Sequence, residues 1–150
     1  MDFTTTLDIL RFAIEREDEA ARGYSDLAFG ASDPVLRGLL LELQSEEKNH
    51  KRLLQNIVDG KAEALGVVEV QDLQISDYLL EEPFGASSSI QDLLIFAAKK
   101  EEKAAELYGR LRDAAADPEL RRLLTFLLQQ EKAHKLKLEQ EYEKQVLQEN

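Results

Sequence analysis

The sequence predicts an all-α protein, an antiparallel four-helix bundle with one long crossover connection between its second and third helices. Three observations support this prediction. Helix-forming residues dominate the 150 residues, with only seven glycines and three prolines. Four long segments carry apolar residues at spacings of three and four. The segment between the second and third lacks that pattern and is long enough to return the chain along the bundle.

Capping residues mark the ends of the predicted helices, whose bounds are 6–30, 34–59, 89–115 and 118–147. The second and fourth helices begin at Asp33-Pro34 and Asp117-Pro118, because aspartate caps a helix and proline tolerates its first position. Gly60 is expected to end the second helix. Candidate caps of the first and third helices are hydroxyl residues, namely Thr5 or Thr6 and Ser88 or Ser89. We therefore expect one domain over 1–150, made of a hairpin at 6–59, a crossover at 60–88 and a hairpin at 89–147.

Charge and cysteine content exclude several classes of function. Thirty acidic against nineteen basic residues give a formal charge of −11, which disfavours binding to nucleic acid or to anionic membranes. The absence of cysteine excludes disulfides, zinc–thiolate sites, iron–sulfur clusters and thiol nucleophiles from this sequence. The sequence contains no run of eighteen apolar residues, so no membrane span is predicted. The acidic N-terminus is unlike a secretory leader, and we therefore expect a cytoplasmic protein.

The sequence repeats with a period of 84 residues, which predicts a duplicated helical hairpin. In the first and third helices, Phe12-Ala13 matches Phe96-Ala97 and Tyr24 matches Tyr108. The second and fourth helices share the Asp-Pro pair, the leucines that follow it, and a Glu-Lys-x-His-Lys segment.

Glutamate interrupts the apolar stripe of each predicted helix, and histidine also interrupts that of the second and fourth helices. In the second helix, Glu47 and His50 are in register with leucines at spacings of three and four, and the fourth helix repeats this arrangement. The first and third helices each add one carboxylate. The residues expected to point into the core are Glu17, Glu47, His50, Glu101, Glu131 and His134.

Four buried carboxylates require compensating positive charge, which two divalent cations would supply. One Glu from each of two helices, with Glu-x-x-His from each of the other two, is the ligand pattern of di-iron and di-manganese carboxylate bundles. Imidazole and carboxylate ligands suit iron and manganese and tolerate zinc, so the pattern predicts two divalent ions per site and leaves open which of these metals they are. The alternative is a bundle in which these residues are only structural.

Tyr24 and Tyr108 follow the first-helix and third-helix glutamates by seven residues, so they share the face of those glutamates. Each can be plain aromatic core, or its phenol can donate a hydrogen bond to a metal-bound carboxylate. The alanines beside Glu17 and Glu101 likewise fit close helix packing or space for an oxidant.

These residues, with the connector segment Ile75-Ser76-Asp77-Tyr78-Leu79, resemble the rubrerythrin branch of the ferritin-like superfamily over nearly the whole chain. The resemblance implies a non-haem di-iron site that reacts with dioxygen or hydrogen peroxide and oxidises Fe(II) to Fe(III), in oxidative-stress defence or iron handling. It also implies the ligand roles: Glu17 and Glu101 terminal, Glu47 and Glu131 bridging, and His50 and His134 as one nitrogen ligand per iron.

Two features depart from the rubrerythrin pattern. Peroxide-reducing members carry a further glutamate one turn after the third-helix ligand, where this chain has Ala104, which weakens the case for peroxidase activity. A rubredoxin-like domain needs four cysteines and the sequence has none, so we expect a separate electron-donor protein, such as a rubredoxin-type reductant.

Three functions remain open from the sequence. The leading one is a di-iron oxidoreductase of rubrerythrin type, and the second is an iron-binding ferroxidase that feeds iron storage. The third is a non-catalytic helical module that holds a structural metal pair or none. We also expect a homodimer, with or without exchanged hairpins, because the repeat makes each hairpin half of the site.

Overall fold

The computed structural model describes residues 5–61, 65–66 and 89–149, almost all of which are helical. The helices are α1 (Thr6–Gly30), α2 (Pro34–Lys61), α3 (Ile90–Ala114) and α4 (Pro118–Glu149). They belong to two compact units, the first holding α1, α2 and residues 115–120, the second holding α3 and α4 from residue 121. The predicted all-α class is confirmed, while most of the expected crossover over 60–88, including the 75–79 segment, lies outside the described residues.

Hydroxyl side chains cap α1 and α3 at equivalent positions of the repeat. The Thr5 hydroxyl accepts a hydrogen bond from the backbone N–H of Asp8 at 3.1 Å. The Ser89 hydroxyl accepts one from the backbone N–H of Asp92 at 3.2 Å. Thr5 and Ser89 are thus the capping residues of α1 and α3.

Aspartate side chains cap α2 and α4, and proline follows each of them as predicted. Asp33 Oδ1 accepts a hydrogen bond from the backbone N–H of Val35, and Asp117 Oδ2 accepts one from that of Leu120, both at 2.9 Å. Each contact satisfies a backbone donor that has no partner inside the helix.

The α2 helix continues past Gly60, contrary to the prediction that this glycine ends it, and stops at Lys61. The Lys61 ammonium lies 2.8 Å from Glu119 Oε2 and 3.2 Å from Asp117 Oδ1. Hydrogen bonds to Glu119 and then Asp117 raise the pKa of Lys61 above its ordinary value. This tertiary contact supports the last turn of α2 where sequence alone predicts a stop. The α3 helix is one residue shorter at each end than the expected 89–115, and α4 extends two residues beyond its expected end at 147.

In the first unit, α1 and α2 form an antiparallel hairpin joined by residues 31–33. Both helices bury one face because their apolar residues recur at helical spacing. The fully buried apolar residues of this hairpin include Ile9, Leu10, Tyr24, Leu40, Leu43 and Leu54. On the surface of α1, the Arg16 guanidinium lies 4.9 Å from the centre of the Phe12 ring.

In the second unit, α3 and α4 pack antiparallel in the same way. Their fully buried side chains include Leu94, Tyr108, Leu111, Leu124, Leu127 and Leu138. The helices approach closely at Gly109, where an added Cβ would stand 3.0 Å from Leu128 Cδ1. The Lys100 ammonium lies 5.2 Å from the centre of the Phe96 ring, which is the contact of Arg16 and Phe12 repeated 84 residues later. Over the described residues of both units, no helix combines the length and apolar character needed to cross a membrane.

Candidate metal centre

The first hairpin brings Glu17 of α1 together with Glu47 and His50 of α2. His50 Nδ1 lies 3.5 Å from Glu17 Oε2 and 3.8 Å from Glu47 Oε2. One ligand atom of each residue lies within 4.8 Å of those of the other two. All three side chains are buried, with exposed fractions of 1–2%. The inward orientation expected from helical spacing is therefore observed in this unit.

The second hairpin builds the same triad from Glu101 of α3 and Glu131 and His134 of α4. His134 Nδ1 lies 3.5 Å from Glu101 Oε2 and 4.0 Å from Glu131 Oε1. The three residues are between 1 and 3% exposed. Each residue stands 84 positions after its counterpart in the first triad, so the sequence repeat is also a repeat of geometry.

The spacing inside each triad fits a shared cation. The nitrogen–oxygen distances of 3.5–4.0 Å exceed those of an N–H···O hydrogen bond. Two ligand atoms that are each about 2.1 Å from one ion stand roughly 3.0–3.6 Å apart at ordinary coordination angles. The shorter distance in each triad, 3.5 Å, falls in this range, and the longer distances of 3.8 and 4.0 Å lie just above it. Carboxylate oxygen with imidazole nitrogen is a donor set that suits iron, manganese and zinc. The residues present therefore fit a divalent transition metal.

An ion pair between the helices flanks each triad. Lys51 follows His50 and donates a hydrogen bond to Asp18 Oδ1, which follows Glu17, at 2.9 Å. In the second unit, Lys135 Nζ lies 3.8 Å from Glu102 Oε1 at the equivalent positions. The Lys51 hydrogen bond and charge, with Arg22 nearby, hold the pKa of Asp18 below its ordinary value despite partial burial. These pairs fix the register of the two helices next to the triads.

We expect Asp18→Asn to lower the free energy of unfolding by less than about 1 kcal/mol at pH 7, because the pair is solvent-exposed. Since the folded-state pKa of Asp18 lies below its unfolded-state value, the contribution is complete above the unfolded-state value. It is lost as the pH falls through the folded-state pKa. Urea denaturation between pH 7 and pH 3 should show the difference shrinking below about pH 4. A difference that grows on acidification would contradict the assignment.

Tyr24 and Tyr108 are both buried, at 0 and 2% exposure. They lie in the core of their respective hairpins, on the helices that carry Glu17 and Glu101. Ala104, where peroxide-reducing rubrerythrins are expected to carry a glutamate, is half-buried on α3. Its methyl side chain supplies no carboxylate next to Glu101.

Among the described residues, a further buried carboxylate that was not predicted is Glu141 of α4, which is 4% exposed. It continues the stripe of Glu131, His134 and Leu138 by three residues, so extending the helical spacing would have found it. Gln145 donates a hydrogen bond to Glu141 Oε1 at 3.0 Å, and Lys144 Nζ lies 4.0 Å from Oε2. The equivalent position in the first hairpin is Ile57, so this carboxylate is not part of the repeated triad.

Similarity to known sequences places the two buried triads in a known protein family. The chain belongs to the rubrerythrin family, which its sequence matches over residues 8–142. It is 30% identical over 139 residues to a predicted manganese catalase from Clostridium acetobutylicum. That match covers 79% of this chain and 60% of the relative, so the chain spans about three-fifths of the relative's length.

Solved structures confirm the predicted four-helix bundle. A predicted ferritin-like diiron-carboxylate protein from Thermotoga maritima superposes with a TM-score of 0.73 at 20% identity, covering 95% of this chain and 98% of that one. A hypothetical protein from Pyrococcus furiosus superposes with a TM-score of 0.71 at 27% identity, covering 91% and 87%. The fold is therefore the all-α ferritin-like bundle, and the resemblance to rubrerythrins is confirmed at the level of family.

Proposed function

We propose that the two triads together bind a dinuclear metal centre and that the protein is a di-iron oxidoreductase of rubrerythrin type. The observation that carries this proposal is the repeated set of two carboxylates and one imidazole, buried in each hairpin of a rubrerythrin-family chain. Four carboxylates from the two triads balance the charge of two divalent ions. Without these ions, burying the same four carboxylates would cost free energy, because their charge would lack compensation.

The proposed roles follow the rubrerythrin pattern. Glu17 and Glu101 are assigned as terminal ligands, Glu47 and Glu131 as bridging ligands, and His50 and His134 as nitrogen ligands. When bound, two Fe(II) ions supply one electron each, which with two protons reduces one hydrogen peroxide to two waters. The ligand side chains would bind the ions in a buried site. Because solvent is excluded there, the attraction between the carboxylates and the ions is stronger than in water. Tyr24 and Tyr108 are assigned as phenol donors that orient the ligand carboxylates.

Iron is the proposed metal, and hydrogen peroxide or dioxygen is the proposed oxidant. The proposed role is oxidative-stress defence or iron handling in the cytoplasm. Because this sequence holds no cysteine, repeated turnover would draw electrons from a rubredoxin-type protein or another separate donor. A ferroxidase that passes oxidised iron to storage uses the same ligands and needs no such donor.

Manganese defines a second candidate function, supported by the 30% identity to a predicted manganese catalase. A manganese pair held by the same six residues would convert two hydrogen peroxide molecules to dioxygen and two waters. This reaction needs no external reductant. It is therefore distinguished from the iron reaction by dioxygen release.

The test is to load metal-free protein with Fe(II) under argon and add stoichiometric hydrogen peroxide or dioxygen while recording near-ultraviolet absorbance. We expect rapid oxidation of two irons per chain, with the faster oxidant separating peroxidase from ferroxidase chemistry. A parallel sample loaded with Mn(II) is assayed for dioxygen release from hydrogen peroxide.

The matched control is the Glu47→Ala/Glu131→Ala variant, which should lose the fast phase with either metal. Iron that oxidises no faster than free Fe(II) would favour the non-catalytic helical module. Dioxygen release confined to the manganese sample would favour the catalase reaction.

A further inference from the structure

A cleft between α3 and α4 lies next to the triad of the second hairpin. It has two parts, of about 300 and 570 Å³, which share the lining residues Glu102, Lys135 and Glu139. Glu102 follows the proposed ligand Glu101 in sequence, and Lys135 follows His134. The two parts of the cleft therefore meet beside the triad.

Small side chains line this cleft on both sides of Glu101. Ala98 lines the smaller part and Ala105 lines the larger part. These alanines stand three residues before and four residues after Glu101, so they share its face of α3. They are 7 and 3% exposed, and Glu101 is 3% exposed. The neighbours of Glu101 on this face thus extend no further than a methyl group.

The Lys135 side chain bridges the cleft where its two parts meet. Its ammonium lies 3.8 Å from Glu102 Oε1 on α3 and 4.0 Å from Glu139 Oε2 on α4. Both distances exceed that of an N–H···O hydrogen bond, and the Lys135 side chain is 32% exposed. Ion pairs of this kind contribute little free energy, so Lys135 can move aside at little cost.

The first hairpin carries a larger and more tightly held set of residues at the equivalent place. Ile14, with its longer branched side chain, stands at the position of Ala98. Asp18 accepts a hydrogen bond from Lys51 at 2.9 Å and pairs with Arg22 at 3.0 Å. Both hairpins nevertheless form the same triad. The small side chains and the loose ion pairs of the second hairpin are therefore not required by the fold.

We propose that this cleft is the entrance through which a small uncharged oxidant, hydrogen peroxide or dioxygen, reaches the triad of the second hairpin. Ala98 sets the width of the entrance and Lys135 covers it. The inference rests on the proposed function, in which an oxidant must reach ligands that are at most 3% exposed. A water molecule takes up about 30 Å³ of liquid, so even the smaller part of the cleft accommodates molecules of this size. The Lys135 ammonium can donate hydrogen bonds to hydrogen peroxide in the cleft.

The first test uses metal-free protein. Dioxygen is paramagnetic, so NMR relaxation of isotope-labelled protein under raised oxygen pressure reports which methyl groups it reaches. Ala105 and Ala21 are equivalent in the repeat and are both 3% exposed. We expect the relaxation enhancement of the Ala105 methyl to be several times that of the Ala21 methyl, because Ala105 lines the cleft. Equal enhancement at the two alanines would overturn the proposal.

The second test uses iron-loaded protein. Ala98→Ile, which installs the residue of the first hairpin, should slow the oxidation of bound Fe(II) by hydrogen peroxide roughly tenfold while two irons stay bound. Ala98→Val adds less volume and should slow it less. Ala114→Ile makes the same substitution at the exposed end of α3 and should leave the rate unchanged.

The two tests separate the entrance from the proposed function. An Ala98→Ile variant that binds two irons and is oxidised at the wild-type rate would overturn the entrance. A wild type that binds no iron would overturn the proposed function, and the metal-free NMR measurement would still decide whether small oxidants enter the cleft.

Discussion

Replacing Glu47 and Glu131 together with glutamine is expected to abolish the stabilisation of the protein by Fe(II) or Mn(II). For each ion bound, the wild type should gain about 2.7 kcal/mol when the free metal is a hundredfold above its dissociation constant. For a chain of this size, that gain corresponds to a rise of roughly 5–10 °C in the melting temperature. Glutamine keeps the shape of each side chain but removes its charge, so the variant should show no rise. Calorimetry under argon provides the measurement.

A matched control removes two charges from the same helices without touching the triads. Glu42 and Glu143 are exposed on α2 and α4. The variant Glu42→Gln/Glu143→Gln should retain the full metal-dependent rise. If both double variants lose the rise, the effect comes from overall charge and not from the triads.

The second large effect is expected without metal, where the same Glu47→Gln/Glu131→Gln variant should be more stable than the wild type. Each metal-free triad keeps two carboxylates buried beside one imidazole. A buried carboxylate without a full counter-charge has a desolvation cost that a neutral amide of the same shape largely avoids, so we expect each substitution to stabilise the metal-free protein. The order of stability should therefore reverse when metal is added.

Urea denaturation in the presence of a chelator measures this difference. A variant less stable than the metal-free wild type would indicate that the carboxylates contribute to folding through contacts of their own. In that case the triads would be structural elements, and the proposal of a site built for metal would lose its energetic basis.

Helix starts were predictable from sequence because capping is local chemistry. The Asp33 and Asp117 caps lie one residue before the prolines that begin α2 and α4. The end of α2 was not predictable, because Lys61 is held by acidic residues 56 and 58 positions away in sequence. A glycine at position 60 signals a stop only when no such tertiary contact opposes it.

The six triad residues were predictable because helical spacing places each of them on an apolar stripe. Glu141 was missed although it lies on the same stripe, because it has no counterpart in the repeat. The close packing of α3 and α4 at Gly109 was also not predictable from the sequence, because the approach of Gly109 to Leu128 depends on how the two helices pack.

We propose that six residues, three from each hairpin, hold one pair of metal ions. The most direct test is an anaerobic titration of the metal-free protein with Fe(II), followed by equilibrium dialysis and metal analysis. We expect two tightly bound irons per chain in the wild type and none in the Glu47→Gln/Glu131→Gln variant. A wild-type stoichiometry of zero or one, or two irons retained by the variant, would contradict it.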